Sequence, residues 1–166
     1  MKIKALTPED WRAWKKLRLE SLQNAPASFG SSYLEEVNWP DSRFEDTLKT
    51  DTIIAAFDHH ELIGYVGFHR FNALKTQHRG LVWGLYIVPE FRGKGIADTL
   101  MQSIITFAKA HVVQLHLSCV TENLAAIALY KKHGFTVYGT EPNANKIQDT
   151  FFDKHLMVLD LRDNET

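Results

Sequence analysis

Along the chain, apolar residues alternate between two spacings. Trp11, Trp14, Leu17 and Leu22 recur near the helical period with charges between them, the pattern of an amphipathic helix. Thr7 followed by Pro8 supplies a cap and a first-turn proline for its start, and Asn24-Ala25-Pro26 marks its end. Residues 29–37 read as a short second helix or an ordered loop, and Asp41 caps a further helix to about Lys49. Then the pattern changes. The β-branched run 52–57, the polar turn 58–61 and the apolar run 62–70 predict a hairpin. His59 and His60 fall in that turn, where adjacent side chains diverge and suit a turn better than a metal pair. Residues 72–80 read as a polar loop. The run 81–88 is apolar with little alternation, which predicts a central strand buried on both faces.

The second half is more strongly punctuated. Ile96, Leu100, Ile104 and Phe107 form one apolar stripe of a helix over 95–111. A strand over 115–120 follows, then a helix over 123–133 stopped by Gly134. A strand over 135–139, a polar loop over 141–149 and a last strand over 151–161 complete the order. These elements predict a mixed α/β sheet with a right-handed βαβ unit over 81–120. With no repeat, low-complexity tract or linker, residues 1–166 read as a single domain.

Composition narrows the function classes. The 166 residues are 45% hydrophobic and 23% charged, which is globular composition. Nineteen basic residues against 20 acidic ones give a net charge of -1, without the basic footprint of a nucleic-acid binder. One cysteine, Cys119, excludes an internal disulfide and a Cys-rich zinc site, and no metal is expected. The N-terminal apolar stretch is too short for a signal peptide. The longest apolar runs fall far below the ~20 residues of a membrane span. A soluble, cytoplasmic chain without membrane contact is expected.

The most informative stretch is Pro89-Glu90-Phe91-Arg92-Gly93-Lys94-Gly95-Ile96-Ala97, which joins the buried strand to the strong helix. Two glycines allow positive φ and close backbone approach. The helix start offers free N–H groups, and Arg92 and Lys94 add cations, so the parts suit a phosphate or pyrophosphate. The spacing is neither a Walker loop nor a dinucleotide fingerprint, since Asp98 stands three residues after Gly95. Read without a ligand, the same loop is a glycine turn with two solvated cations. Further on, Asn123, Ala126 and Tyr130 share one helix face, where the small Ala126 leaves room beside the stripe. Asn123 reads equally well as the helix N-cap, and Tyr130 as a half-buried aromatic.

Three segments carry a resemblance. Leu85-Tyr86-Ile87-Val88-Pro89, then Arg92-Gly93-Lys94-Gly95-Ile96-Ala97, then Asn123, Ala126, Tyr130, Gly134 and Phe135 stand in the order and spacing of the GCN5-related N-acetyltransferase superfamily. Residues 17–36 and 151–159 resemble its bacterial small-molecule branch. The resemblance implies a mixed, mostly antiparallel twisted sheet of six or seven strands, flanked by about four helices, with a splayed parallel pair forming a coenzyme A groove. It implies transfer of acetyl from acetyl-CoA to a primary amine of a small molecule or amino acid, by direct attack in a ternary complex. Backbone N–H groups from Arg92 to Ala97 would take the pyrophosphate, and Leu85, Tyr86, Ile87 and Val88 would pair with the pantetheine arm. An N–H near Tyr86 would polarise the thioester. Asn123 would contact the arm beside Ala126, and Tyr130 would protonate the departing thiolate. Dimers are common in that superfamily, so a homodimer is consistent with the resemblance.

One departure stands out. Many relatives carry a Glu in the stretch aligned with residues 81–84, and this chain has Leu81-Val82-Trp83-Gly84. The proton acceptor is therefore open among His78, Glu35, Glu36, His116 and Asp153. Cys119 reads as core, since a buried free cysteine behaves as a small hydrophobe. Trp11 and Trp14 read as core cover or as a wall of the acceptor pocket. Two other functions fit the same residues: acetylation of a protein N-terminus or lysine, and a noncatalytic acyl-CoA sensor.

Overall fold

The computed structural model describes residues 1–164. The chain runs through β1 (Lys2–Ala5), α1 (Trp11–Asn24), α2 (Tyr33–Glu36), α3 (Asp41–Thr50), β2 (Thr52–Asp58), β3 (Glu61–Arg70) and β4 (Arg79–Ile87). It continues through α4 (Ile96–Lys109), β5 (Gln114–Val120), α5 (Leu124–Lys132), β6 (Thr136–Ile147) and β7 (Thr150–Asp160). The strands form one sheet in the order β1-β2-β3-β4-β5-β7-β6. All neighbours are antiparallel except β4 and β5, which are parallel. This is the mixed, mostly antiparallel sheet expected, with five α-helices among the described residues. No helix among the described residues is long and apolar enough to cross a membrane.

Alternation along the strands separates two cores. Ile54, Ala56, Val66 and Phe68 point to one face, where α4 lays down Ile96, Leu100, Ile104 and Ile105. Ile53, Ala55 and Tyr65 point to the other, under Trp14, Leu17, Phe44 and Leu48 of α1 and α3. The stripe predicted for α4 is thus the buried one, each such side chain contributing roughly 1.5–3 kcal/mol by burial.

Two expectations are corrected. The strand buried along nearly its whole length is β3, from Leu62 to Phe68, and not the 81–88 run. In β4 the residues Trp83, Gly84 and Leu85 are only half-buried, because the sheet opens beside them. The polar stretch 141–149 continues as strand to Ile147, with an irregularity between Glu141 and Asn145. As a sheet edge exposed along most of its length, β6 has no apolar alternation to betray it. The short β1 was also missed; only Ile3 of its Lys2-Ile3-Lys4-Ala5 packs against the core.

Buried charge ties the first helices to the sheet. Arg18 of α1 donates from Nε and Nη2 to the two carboxylate oxygens of Glu36, both at 3.0 Å. Its Nη1 donates to the Tyr65 hydroxyl at 3.2 Å. Ser21 donates to the Arg18 carbonyl at 2.7 Å, so the Tyr65 hydroxyl, 2.8 Å away, donates to Ser21. Burial pushes the Tyr65 phenol above its ordinary range, and Arg18 opposes that only in part, so Tyr65 stays neutral. Arg18→Met strands the Glu36 carboxylate and should lower unfolding free energy by about 3–5 kcal/mol. Arg18→Met with Glu36→Leu should recover most of the loss. Urea denaturation of both variants checks this, and an unchanged midpoint in Arg18→Met would refute it.

Candidate active site

The parallel pairing of β4 and β5 lasts for only three residue pairs, Arg79–Gln114, Gly80–Leu115 and Leu81–His116. Beyond Leu81 the strands part. β5 stays bonded to β7 along its whole length, and β4 stays with β3. The β3 partners Tyr65 and Gly67 face Tyr86 and Trp83, so Gly84 and Leu85 oppose the single residue Val66. That is a β-bulge, which bends and twists the strand. Gly84 sits there at φ +72°, and a Cβ on it would come 2.9 Å from the Tyr65 ring. Two cavities meet at the opening, sharing Trp83, Gly84, Ser118 and Val120 as walls.

The larger cavity, about 720 Å³, runs from the opening to the glycine loop. Residues 89–91 make a 3-10 turn, Gly93 and Gly95 take φ of 77° and 81°, and Gly95 caps α4. The free N–H groups of the helix start therefore border the loop. Among the expected residues, Leu85, Tyr86 and Ile87 line it from β4, and Arg92, Gly93, Gly95, Ile96 and Ala97 from the loop and α4. Asn123, Ala126 and Tyr130 line it from the opposite side. Val88 and Lys94 are not among the lining residues. The Val88 amide is already committed to the Ile63 carbonyl at 2.9 Å. The Arg92 Nε donates to the Ile87 carbonyl at 2.9 Å, which fastens the loop to the strand.

Asn123 is the N-cap of α5, its side-chain oxygen accepting from the Ala126 amide at 3.2 Å while the residue also lines the cavity. Asp98, on the first turn of α4, accepts from Lys132 and His133, both at 3.0 Å. The Lys132 and His133 bonds hold the Asp98 carboxyl below the usual range, and they pin the end of α5 to the start of α4.

Tyr130 packs edge-on against Phe135 with ring centroids 6.1 Å apart. Its hydroxyl makes no hydrogen bond among the described residues. Burial, with a smaller contribution from Cys119, pushes the phenol well above its ordinary range, so it keeps its proton at neutral pH. Cys119 is 7% exposed. Burial pushes its thiol up to about 11, with Lys154 opposing, which leaves it protonated and a poor nucleophile.

The second cavity, about 540 Å³, lies under α1, α2 and α3. Trp14, Phe29, Trp39, Phe44 and Trp83 supply aromatic walls, and Arg18, Glu36, Asp51, His69 and Lys154 the ionisable groups. Trp14 meets Trp83 edge-on at 5.9 Å, so it is both core and wall. Trp83 lies across Gly67, where a Cβ would come within 2.3 Å of the indole. Glu36 has both oxygens taken by Arg18. Glu35, His78, His116 and Asp153 line neither cavity. Sequence reasoning missed Asp51 and His69, which lie 18 residues apart and carry no motif.

The acetyltransferase (GNAT) family model matches residues 11–135, three quarters of the chain and all of the parted strands and glycine loop. The chain belongs to the acetyltransferase (GNAT) family. It is 30% identical over 103 residues to the N-alpha-acetyltransferase RimI of Mycobacterium tuberculosis, covering 61% of this chain and 63% of that protein. It is 24% identical over 102 residues to the L-methionine sulfoximine/L-methionine sulfone acetyltransferase of Pseudomonas aeruginosa, covering 61% and 59%. The chain thus spans about six-tenths of the length of these curated relatives. Among solved structures, a GNAT acetyltransferase from Streptococcus pneumoniae superposes with a TM-score of 0.84 at 22% identity, over 95% of this chain and 98% of that one. A Salmonella typhimurium protein described as an acetyltransferase, solved with its cofactor acetyl-CoA, superposes with a TM-score of 0.83 at 18% identity, over 100% and 96%.

Within this GNAT loop, a Cβ at Gly93 or Gly95 meets nothing within 4 Å. The glycines are needed for their positive φ, not for clearance inside the chain. Gly93→Ala and Gly95→Ala should therefore each cost about 1–2 kcal/mol of stability, read as a lower urea midpoint with an unchanged slope. A variant as stable as the parent would refute the conformational reading.

Proposed function

We propose that this chain, acting as one domain over residues 1–166, transfers acetyl from acetyl-CoA to a primary amine of a small molecule or amino acid. The observation that carries the reading is the pair of cavities meeting where β4 leaves β5, one reaching the glycine loop and the other the aromatic chamber. The residues present fit the cofactor. The positive-φ glycines and the start of α4 suit its pyrophosphate, and the edge of β4 beyond Leu81, without a strand partner in β5, suits its amide-bearing arm. When bound, acetyl-CoA supplies the acetyl group as an activated thioester. Backbone N–H groups near Tyr86 would polarise its carbonyl. The Tyr130 hydroxyl, free of other partners, would hold a proton for the thioester sulfur.

The acceptor enters the second cavity, whose volume lies in the range of small-molecule sites. Lys154 faces this cavity from β7 with no ion pair among the described residues, which favours an acceptor carrying an anionic group such as the carboxylate of an amino acid. The relative that acts on L-methionine sulfoximine supports that class. The match to RimI supports the alternative, a protein amino terminus. A retained Tyr130 with no competing hydrogen bond argues for chemistry over mere acyl-CoA sensing.

Acetyl-CoA at ~100 times its Kd should stabilise the fold by about 2.7 kcal/mol. A thiol-release assay against amino acids, polyamines, aminoglycosides and peptides identifies the acceptor, with amino acids expected to be fastest. Tyr130→Phe should lower kcat roughly 100-fold and keep the acetyl-CoA thermal shift. Unchanged turnover in that variant would remove Tyr130 from the mechanism.

A further inference from the structure

The acceptor cavity contains a histidine–carboxylate pair on the wall away from the glycine loop. His69, near the end of β3, places Nδ1 2.8 Å from Asp51 Oδ1. Asp51 closes α3, its amide bonded to the Thr47 carbonyl, and its Oδ1 also accepts from the Thr50 hydroxyl at 3.2 Å. The two side chains are 34% and 14% exposed, and both line the cavity. A carboxylate only accepts, so Nδ1 carries the hydrogen and Nε2 of the neutral ring holds its lone pair. That Nε2 makes no hydrogen bond among the described residues.

We propose that His69 Nε2 takes the proton from the ammonium group of the acceptor, with Asp51 as the positioning residue that fixes the ring. This rests on the acetyl-transfer reading above and names the base that β4 lacks. Leu81 is the direct cross-strand partner of His69. Trp83, two residues on, is its diagonal neighbour on the same face, at about 7–8 Å. The imidazole therefore lies on the same sheet face as the wall where the two cavities meet, from which a proton could reach it directly or through one water. In the step, an N–H bond of the ammonium breaks and its electron pair stays on the nitrogen. Nε2 gains the proton, and Asp51 compensates the imidazolium. The ring, one-third exposed, then returns the proton to solvent.

The other charged groups on this cavity leave the role to His69. Arg18 from α1 and Glu36 from α2 saturate each other. Lys154 from β7 is an ammonium donor and offers no acceptor. Next along β3, Arg70 is turned to the Gln77 carbonyl. Phe71 meets the imidazole edge-on at 6.1 Å and brings no charge.

The test uses the full chain with His69→Gln and with Asp51→Asn. Long-range proton–nitrogen NMR, with His69 assigned by its loss in His69→Gln, should show the neutral ring protonated at Nδ1. An Nε2–H ring would overturn the proposal. In the thiol-release assay, with the fastest amine of the panel above, kcat/KM of the parent should fall toward acid pH. His69→Gln should lose about 100-fold at pH 7 together with that acid limb. Asp51→Asn should lower kcat with little change in KM, since the ring loses the acceptor that holds Nδ1–H. Both variants should keep the acetyl-CoA thermal shift, which shows that they fold. Parent turnover with an unchanged profile in His69→Gln overturns the role of His69 alone. A parent that releases no thiol with any amine overturns the acetyl-transfer reading and the base with it.

Discussion

The structure depends on the early parting of β4 from β5. A parallel pair normally continues until one strand ends, because each further residue adds ladder bonds. Here pairing stops after Leu81, while β5 remains bonded to β7 and β4 to β3. The sheet is therefore two half-sheets hinged at three residue pairs. The bulge at Gly84 and Leu85 bends β4 just beyond the hinge, and only a glycine meets φ +72° with the Tyr65 ring so close. Both cavities follow from that bend.

Charge is arranged so that the opening is held without dominating it. Arg18 and Glu36 neutralise each other in the buried layer between α1, α2 and β3. Asp98 is matched by Lys132 and His133 where α4 meets α5. The buried Arg18–Glu36 pair contributes little net stability over an apolar replacement but penalises any arrangement that separates its partners, while the exposed Asp98 cluster ties α4 to α5 at the surface. They fix the walls at two places on either side of the hinge. A net charge of -1 is compatible with a local anion site, since the positive character comes from the start of α4 and the fastened Arg92.

How much of this was legible in the sequence follows from how local each signal is. The stripe of Ile96, Leu100 and Ile104 announces α4 because its period is written in adjacent turns. Gly93 and Gly95 announce the loop because positive φ is a demand on single residues. Asn123 and Tyr130 share one short helix, so spacing alone sets them on one side of the groove. The strand β6 stayed hidden because an exposed edge needs hydrogen bonds and no apolar face. The burial of β3 was assigned to its neighbour, because both runs are apolar and only the parting of β4 exposes one of them. His69 and Asp51 were silent for a different reason. Their 2.8 Å contact joins a helix end to a strand that local pattern does not bring together.

Trp83 connects these observations. An indole at this point on β4 fits only because Gly67 opposite offers no Cβ, and it meets Trp14 of α1 edge-on. The same indole adds an aromatic wall to the second cavity, beside Trp14, Trp39 and Phe44. A chamber so walled desolvates a bound amine, and desolvation disfavours the ammonium over the neutral amine. Under the proposed acetyl transfer, less basicity is then required of whatever takes the proton, which is the regime in which an imidazole suffices. On the proposal that His69 is the base, the aromatic wall and a neutral nitrogen base answer a single physical requirement, that the nucleophile reach the opening uncharged.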